Sequence, residues 1–514
     1  MANPSKSAVV TNNAGGAAYS FGPEHTLAQM AMTGCFNNTY YVKGVNQVDH
    51  VLELVKQVEP EYVAKLAVYA RQNGMMKDMP AMLTAYLSTV SPELLADVFP
   101  KTINNGKMLR NFVQIMRSGT VGRKSLGTSP RRLVRSWFET RSDQQLVRNS
   151  VGNNPSMGDV IKMVHPKPTS PSRAALYAWF IGKPFDEKDL PESFQAYVNF
   201  KKDTLGWEGD LPDVPFEMLM GENLLPSQWK LLAEQATWNQ LRQALNNFQR
   251  HGVFSDSGMV KLLADKIRNP DLVRQAKAFP YQLLSAFQNA SDEMPKEIKD
   301  ALQDAMEIAT ENIPVLGGEV KICPDVSGSM SSGIATGKRG AMSTSKVRCI
   351  DIAALVAASV LRLNPHAEIL PFEGKVITSL HLNPKDSIMA NAKKLSSIGG
   401  GSTACAAPLK LLNHRKAKVD TILYVSDNES WADHYGWSGG GQGSCTEEWA
   451  RTKSRCPEAK MVCIDVTPNE STQVPDRADC LNVGGFSDDV FDVVGNFLNG
   501  SGQHWVDQIK AVEL

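Results

Sequence analysis

The sequence predicts an α plus α/β chain, with a long run of stacked helices followed by a doubly wound parallel-sheet domain. Three observations predict it. Apolar residues recur at three and four from about residue 26 to 315, the rhythm changes near 316 to short apolar runs separated by helical stretches, and polar segments follow several of those runs. At 514 residues the chain also exceeds what one core comfortably holds.

The first twenty residues, rich in Ser, Asn, Gly and Ala, read as a flexible arm. Amphipathic windows follow, among them VDHVLELVKQVEPEYVAKLAVYARQN, PAMLTAYLSTVSPELLADVF, PSRAALYAWFIG and PSQWKLLAEQATWNQLRQALNNFQRHG. Several helices are expected to begin at Ser-Pro (SPELL, SPRRL, SPSRAAL), where the missing proline N–H costs nothing. Such a length of helix with hardly a β-type segment favours a curved solenoid of helix pairs. Its irregular period is roughly the 40 residues of HEAT-like units.

Beyond 316, EVKICPD, HAEILPFEG, TILYVSD, KMVCID and DVFDVVGNF are strand candidates, separated by helical stretches such as VRCIDIAALVAASVLRL, APLKLLNHRK and EEWARTKSR. Nearly continuous apolar strands alternating with helices predict parallel strands covered on both faces. Ligands bind outside the carboxyl ends of such strands. Polar segments stand there or in adjacent loops: DVSGS (Asp325, Ser327, Ser329), GGGSTAC (Thr403) and YVSDNES (Asp427). Two carboxylates and three hydroxyls form a hard all-oxygen donor set. Magnesium is its expected occupant, and manganese or calcium could substitute. Each segment alone also reads as a turn capped by its own side chains.

Net charge is zero, but it is unevenly placed. Residues 101–170 hold thirteen Lys/Arg against three acids, a local charge of +10, whereas residues 421–514 hold six against fifteen, or −9. The basic segment suits a polyanion. Arg123, Lys124, Arg131, Arg132 and Arg135 fall within thirteen residues. On a helix starting near Pro130, Arg131 and Arg135 share a face and Arg132 lies about 100° to the side. Arg117, Lys162 and Lys167 extend the basic set, and the His165 imidazole between two lysines can stack on a base or bond its edge. A solvated basic surface is the plainer reading. Tyr40 and Tyr41 either offer stacking rings or pack a helix end.

Eight cysteines without a CxxC pair are expected to be small buried hydrophobes rather than zinc ligands or disulfides. The N-terminus lacks the apolar core of a secretory signal, and the longest apolar run, IAALVAASVL, is about half of a membrane span, so a cytoplasmic protein is expected.

DxSxS with a distant Thr and Asp resembles the metal-ion-dependent adhesion site (MIDAS) of von Willebrand factor A domains. Joined to the helical half, it resembles the Ro60 family of TROVE-module proteins and their bacterial orthologues. The matching stretches are GCFNNTYYV (34–42), GRKSLGTSPRRLVRSWF (122–138), DVIKMVHPKPTSPSRAALYAWFIG (159–182), DLPDVPFEML (210–219) and LRQALNNFQRHGVF (241–254). The resemblance implies a flexible arm over 1–20, a closed HEAT-like ring over 21–315 and an A domain over 316–514. It also implies a magnesium ion at the MIDAS, small noncoding Y RNA on the outer ring surface, and single-stranded 3′ ends of misfolded or precursor RNA, including ribosomal RNA precursors, in the ring hole. Arg148 aligns with the family's basic RNA-contacting helix, though its neighbours are less basic than in many relatives. The expected protein is a monomer within a ribonucleoprotein, without catalysis, in some relatives cooperating with a 3′ exoribonuclease in RNA quality control.

Two rivals remain at this level. A protein-interaction or adhesion module would use the metal to accept a partner's acidic side chain, and would leave the basic segment without a task. A nuclease would need carboxylates clustered around two ions, which Asp325 with Asp427 and the loop-like Asp488 with Asp489 do not resemble. GWSGG places Ser438 in a glycine-rich loop well past its strand, where a nucleophile elbow does not form. The two tryptophans of loop 430–445 either rim the metal face or pack inward.

Overall fold

The computed structural model describes residues 9–12, 17–33, 44–276, 278, 280–311, 313, 315–333, 346–430, 432, 445–467, 471–475, 477–485, 488–499 and 505–514. Tyr40, Tyr41 and most of loop 430–445, Ser438 included, lie outside the described residues.

An all-helical region is followed by a parallel-sheet α/β domain. The helices start for local reasons. Ser91 and Ser170 each accept a backbone N–H of the first turn, from Leu94 and Arg173, and each is followed by proline. Ser142 with Gln145 and Ser156 with Asp159 form reciprocal capping boxes. The SPRRL helix differs from expectation. It spans Thr128–Glu139 after Gly127, whose φ of 70° suits glycine, so Ser129 lies inside the helix and does not cap it.

The chain divides into two compact units. One comprises residues 60–267, 290–299 and 512–514, and is helical. Within it Phe99, Phe112, Trp137, Phe138, Phe194 and Phe248 are buried on the apolar stripes of successive helices. Arg173 is buried there too. It pairs with Asp143 and donates to the carbonyls of Phe138 (3.0 Å) and Arg141 (2.6 Å), tying the end of helix Thr128–Glu139 to helix Asp143–Arg148.

The other unit comprises residues 1–59, 268–289 and 300–511. The domain boundary expected at 315/316 is thus displaced. Residues 1–59, 268–289 and 300–315 group with the α/β domain, helix Pro23–Thr33 packing against β8 and helix Pro280–Asn289 against helix Cys349–Leu363. Its strands are β1 (Val9–Thr11), β2 (Ala17–Ser20), β3 (Val320–Pro324), β4 (Glu368–Ile369), β5 (Thr421–Ser426), β6 (Lys460–Asp465), β7 (Ser471–Thr472) and β8 (Cys480–Gly484). Five of them form a parallel sheet in the order β4-β3-β5-β6-β8. Helix Cys349–Leu363 is buried almost throughout, which explains the apolar run IAALVAASVL. Phe372, Tyr424 and Trp449 fill a core with Cys323, Cys405, Cys445, Cys463 and Cys480. All seven described cysteines are free thiols, six of them buried.

Three further expectations are corrected. Residues 1–20 are not simply a flexible arm: β1 and β2 form an antiparallel hairpin, and β2 pairs with β7 (Tyr19↔Thr472, Ser20↔Ser471). DVFDVVGNF is not a strand. It lies in helix Asp488–Leu498, whose apolar residues recur at helical spacing, and Asp488 and Asp489 start that helix instead of occupying a loop. Strand β8, with the polar Asn482 at its centre, was not anticipated. Among the described residues no helix is long and apolar enough to cross a membrane.

Replacing Arg173 by alanine strands a half-buried acid and two carbonyls. The expected cost is about 3 kcal/mol, read by chemical denaturation as a lowered midpoint of the helical unit's transition.

Candidate metal-ion site and basic surface

Strands β3 and β5 lie in parallel register, Pro324 opposite Val425, so Asp325 follows one strand where Ser426 and Asp427 end the other. The Asp325 N–H donates to the Val425 carbonyl at 3.0 Å and the Val326 N–H to that of Phe372 at 2.9 Å, wedging the DVSGS turn between two neighbours. The Asp325 carboxylate accepts from the Ser327 N–H at 2.8 Å and the Ser426 hydroxyl at 2.6 Å. Ser327 and Ser329 hydroxyls lie 3.3 Å apart. Asp427 accepts from the Ser329 side chain and from the Glu429 N–H.

The third segment arrives through glycines. Gly399 and Gly400 have φ of 87° and 109°, and a Cβ on Gly399 would stand 2.1 Å from the Val326 carbonyl oxygen. Only glycine lets the Gly400 N–H reach that carbonyl (2.8 Å) while the Gly328 N–H reaches Gly401 (2.9 Å). Glu373 fixes the same loop, accepting from the Gly401 N–H at 2.9 Å. The Thr403 carbonyl then accepts from the Ser430 hydroxyl at 3.3 Å, beside the Asp427 turn. All three predicted segments thus converge, and Asp325, Ser327, Ser329, Thr403 and Asp427 are all buried.

Burial is the main cause that pushes both carboxyls above the usual acid range; for Asp325 the charge of Asp427 adds to it, and hydroxyl donors oppose it. The Asp325 carboxyl is pushed up to about 7. Two acids and three hydroxyls with so little hydration fit a hard divalent cation, whose charge would relieve both carboxylates. Asp465, opposite Ser426 on β6, is a third buried acid that sequence reasoning passed over; burial again raises its pKa strongly, and its carboxylate accepts from the Thr467 N–H at 3.0 Å. Its signal was the same as that of Asp427, an aspartate closing an apolar strand.

The basic candidates separate into different roles. Helices Gly106–Ser118, Thr128–Glu139 and Met157–Val164 pack together. They carry Arg117 at one helix end, Arg131 and Arg132 at another's start, and Lys162 and His165 at the third's end, with Arg123 and Lys124 in the connecting loop and Lys167 just beyond. Arg117, Lys124, Arg131, Arg132, Lys162, His165 and Lys167 are exposed and Arg123 half-buried. None of the cations among these forms an ion pair among the described residues.

Arg135 is different: its side chain donates to the Val164 carbonyl, capping the end of the neighbouring helix. Arg148 stands apart, reaching Asp213 at 3.5 Å beside a cavity of about 720 Å³ lined by Leu211, Pro215, Phe216 and Gln240. Two residues behind the charge count serve the fold instead. Arg110 is buried and donates to the Asn149 carbonyl at 2.9 Å, and Arg141 lies 3.7 Å over the Trp137 ring. His165 caps its helix in a left-handed conformation with φ 51°.

A second basic cluster escaped the sequence. Lys77 reaches solvent, yet surrounding protein desolvates its ammonium, and that loss of hydration lowers its pKa. The charges of Lys107, Arg71 and Arg242 lower it further, against the opposing pull of Asp78. These residues span 71 to 242 in sequence, so only the fold gathers them.

With this geometry in view, comparison with known proteins is informative. A family model described as the Ro60 vWA domain matches residues 320–498. The RNA-binding protein RO60 of Deinococcus radiodurans is 25% identical over 96% of this chain and 95% of its own. Across nearly its whole length the chain is thus similar to a Ro60 protein, and its α/β part matches that family's vWA domain. The RNA-binding protein RO60 of Caenorhabditis elegans is 24% identical over 48% of this chain and 38% of its own. The crystal structure of the Deinococcus radiodurans RO (RSR) protein superposes with a TM-score of 0.63 at 20% identity, covering 94% of this chain and all of that one, so the fold is shared.

Because the native acids of the metal-free protein hold protons that the unfolded chain releases near pH 4, metal-free stability falls as pH rises from about 4 to about 7. Thermal unfolding in EDTA checks this: the midpoint is higher at pH 5 than at pH 8, and Asp427→Asn flattens the difference.

Proposed function

We propose that this protein is a Ro60-family member that binds noncoding RNA without performing chemistry on it, in RNA quality control and maturation. The observation that carries the reading is the group of exposed cations without ion-pair partners among the described residues, on three packed helices: Arg117, Lys124, Arg131, Arg132, Lys162 and Lys167. Phosphate neutralisation supplies most non-specific affinity, and a surface of this kind holds a structured RNA by backbone and shape. Small Y RNA is the structured ligand proposed for it. The second cluster around Lys77 suits the unpaired 3′ end of a misfolded or precursor RNA, because cations crowded by protein and by one another gain most from an entering phosphate. Folding state would then be read by whether a free end is available, and a 3′ exoribonuclease is a fitting partner.

The A domain holds a divalent cation, most suitably magnesium, through Asp325, Ser327, Ser329, Thr403 and Asp427 in this reading. Two carboxylates leave a site able to take one more anionic oxygen from a partner molecule. That keeps the protein-interaction reading alive for this domain alone, alongside RNA binding by the helices.

Changing Lys124, Arg131, Arg132 and Lys162 together to glutamine, sparing the helix-capping Arg135, should remove about four phosphate contacts. The slope of log affinity against log salt should then fall by about 3, on roughly 0.7 per single-strand contact. Filter binding with a hairpin RNA bearing a single-stranded 3′ tail, from 50 to 200 mM salt, measures it; an unchanged slope refutes the assignment.

A further inference from the structure

We infer that the N-terminal segment, residues 9–33, is a structural part of the metal site, with Asn12 as a positioning residue for the loops that carry Thr403 and Asp427. The inference rests on the metal reading above and adds to it residues that lie some three hundred positions before the first ligand.

The five donors stand on three short turns, and two of those turns (399–405 and 427–430) have no regular structure. Magnesium demands near-octahedral geometry, so such turns must be held by something else. Their backbone polar groups also need partners once buried. Ser430, fully buried, is where the two turns meet: its hydroxyl donates to the Thr403 carbonyl at 3.3 Å and accepts from the Cys405 N–H at 3.0 Å. Asn12, only 6% exposed, donates its Nδ2 to the Ser430 carbonyl at 2.7 Å. One amide from the N-terminal segment therefore holds the residue that clamps both loops.

A second tie is independent of the first. The hairpin of β1 and β2 pairs with β7, and the residue after β7, Gln473, donates its Nε2 to the Asn428 carbonyl at 2.6 Å. Asn428 follows Asp427 directly and has a φ of 59°, a conformation that needs support. A third tie comes from helix Pro23–Thr33. Gln29, with no exposed surface, lies against Gly484 at the end of β8, where a Cβ would come within 2.8 Å of its amide oxygen. Strand β8 neighbours β6, whose last residue Asp465 sits opposite Ser426. The N-terminal segment thus buttresses the metal edge at three points: the Ser430 clamp, the turn after Asp427, and the sheet edge beyond it.

The test titrates Mn²⁺ into the full chain and follows free Mn²⁺ by electron paramagnetic resonance, comparing the wild type with Asp427→Asn, Asn12→Ala and Gln473→Met. Hydrogen exchange at residues 403–405 and 428–430, measured in EDTA, gives a readout independent of the metal. The expected result is binding by the wild type, none by Asp427→Asn, and a Kd raised about tenfold or more by Asn12→Ala and Gln473→Met, with faster exchange in both loops. If both variants bind Mn²⁺ like the wild type while Asp427→Asn does not, the inference is overturned and the metal reading stands. If the wild type takes up no Mn²⁺, the metal reading fails and the inference falls with it. Should Asn12→Ala fail to fold, Asn12→Asp, which keeps the side chain's shape and removes the Nδ2 donor to the Ser430 carbonyl, decides instead.

Discussion

Two carboxyl groups buried side by side at the end of a parallel sheet set the terms for the α/β unit. A buried carboxylate is costly, and two within reach of each other are costlier still unless donors or a cation face them. The strand register that places Asp325 across from Ser426 and Asp427 creates the problem, and the neighbouring chain answers it. Hydroxyls of Ser329 and Ser426, the amides of Ser327 and Glu429, and the glycine loop that brings Thr403 all serve the same small volume. A core of apolar and thiol side chains beneath keeps that volume dry, which sharpens both the cost and the pull on a cation.

The helical unit solves a different problem, keeping positive charge exposed without neutralising it. Its cations divide between those locked into the fold and those left free. Arg110, Arg135, Arg141 and Arg173 commit their side chains to carbonyls, an aromatic face or a half-buried acid. Composition counts both kinds alike. The surplus that matters for a polyanion is therefore smaller than +10 and more localised.

Fold class was legible because helical and strand periodicities differ and change at one place. The meeting of three polar segments was legible because DxSxS, Thr403 and Asp427 close recognisable strands or loops. What escaped was non-local. Nothing in VVT or AAYS announces a hairpin, since three- and four-residue strands carry too little pattern and owe their pairing to β7. DVFDVVGNF was misread because a short apolar run suits either element. The Lys77 cluster and Asp465 share that character: their neighbours come from distant chain.

The bond from Asn12 to Ser430 spans 418 residues. During synthesis the hairpin of β1 and β2 leaves the ribosome with its edge bare, long before the strand that will cover it is made. An open edge held that long invites pairing with the wrong chain. Completion of the α/β unit therefore waits on β7, and a polypeptide stopped before that strand keeps the hairpin's edge unclaimed.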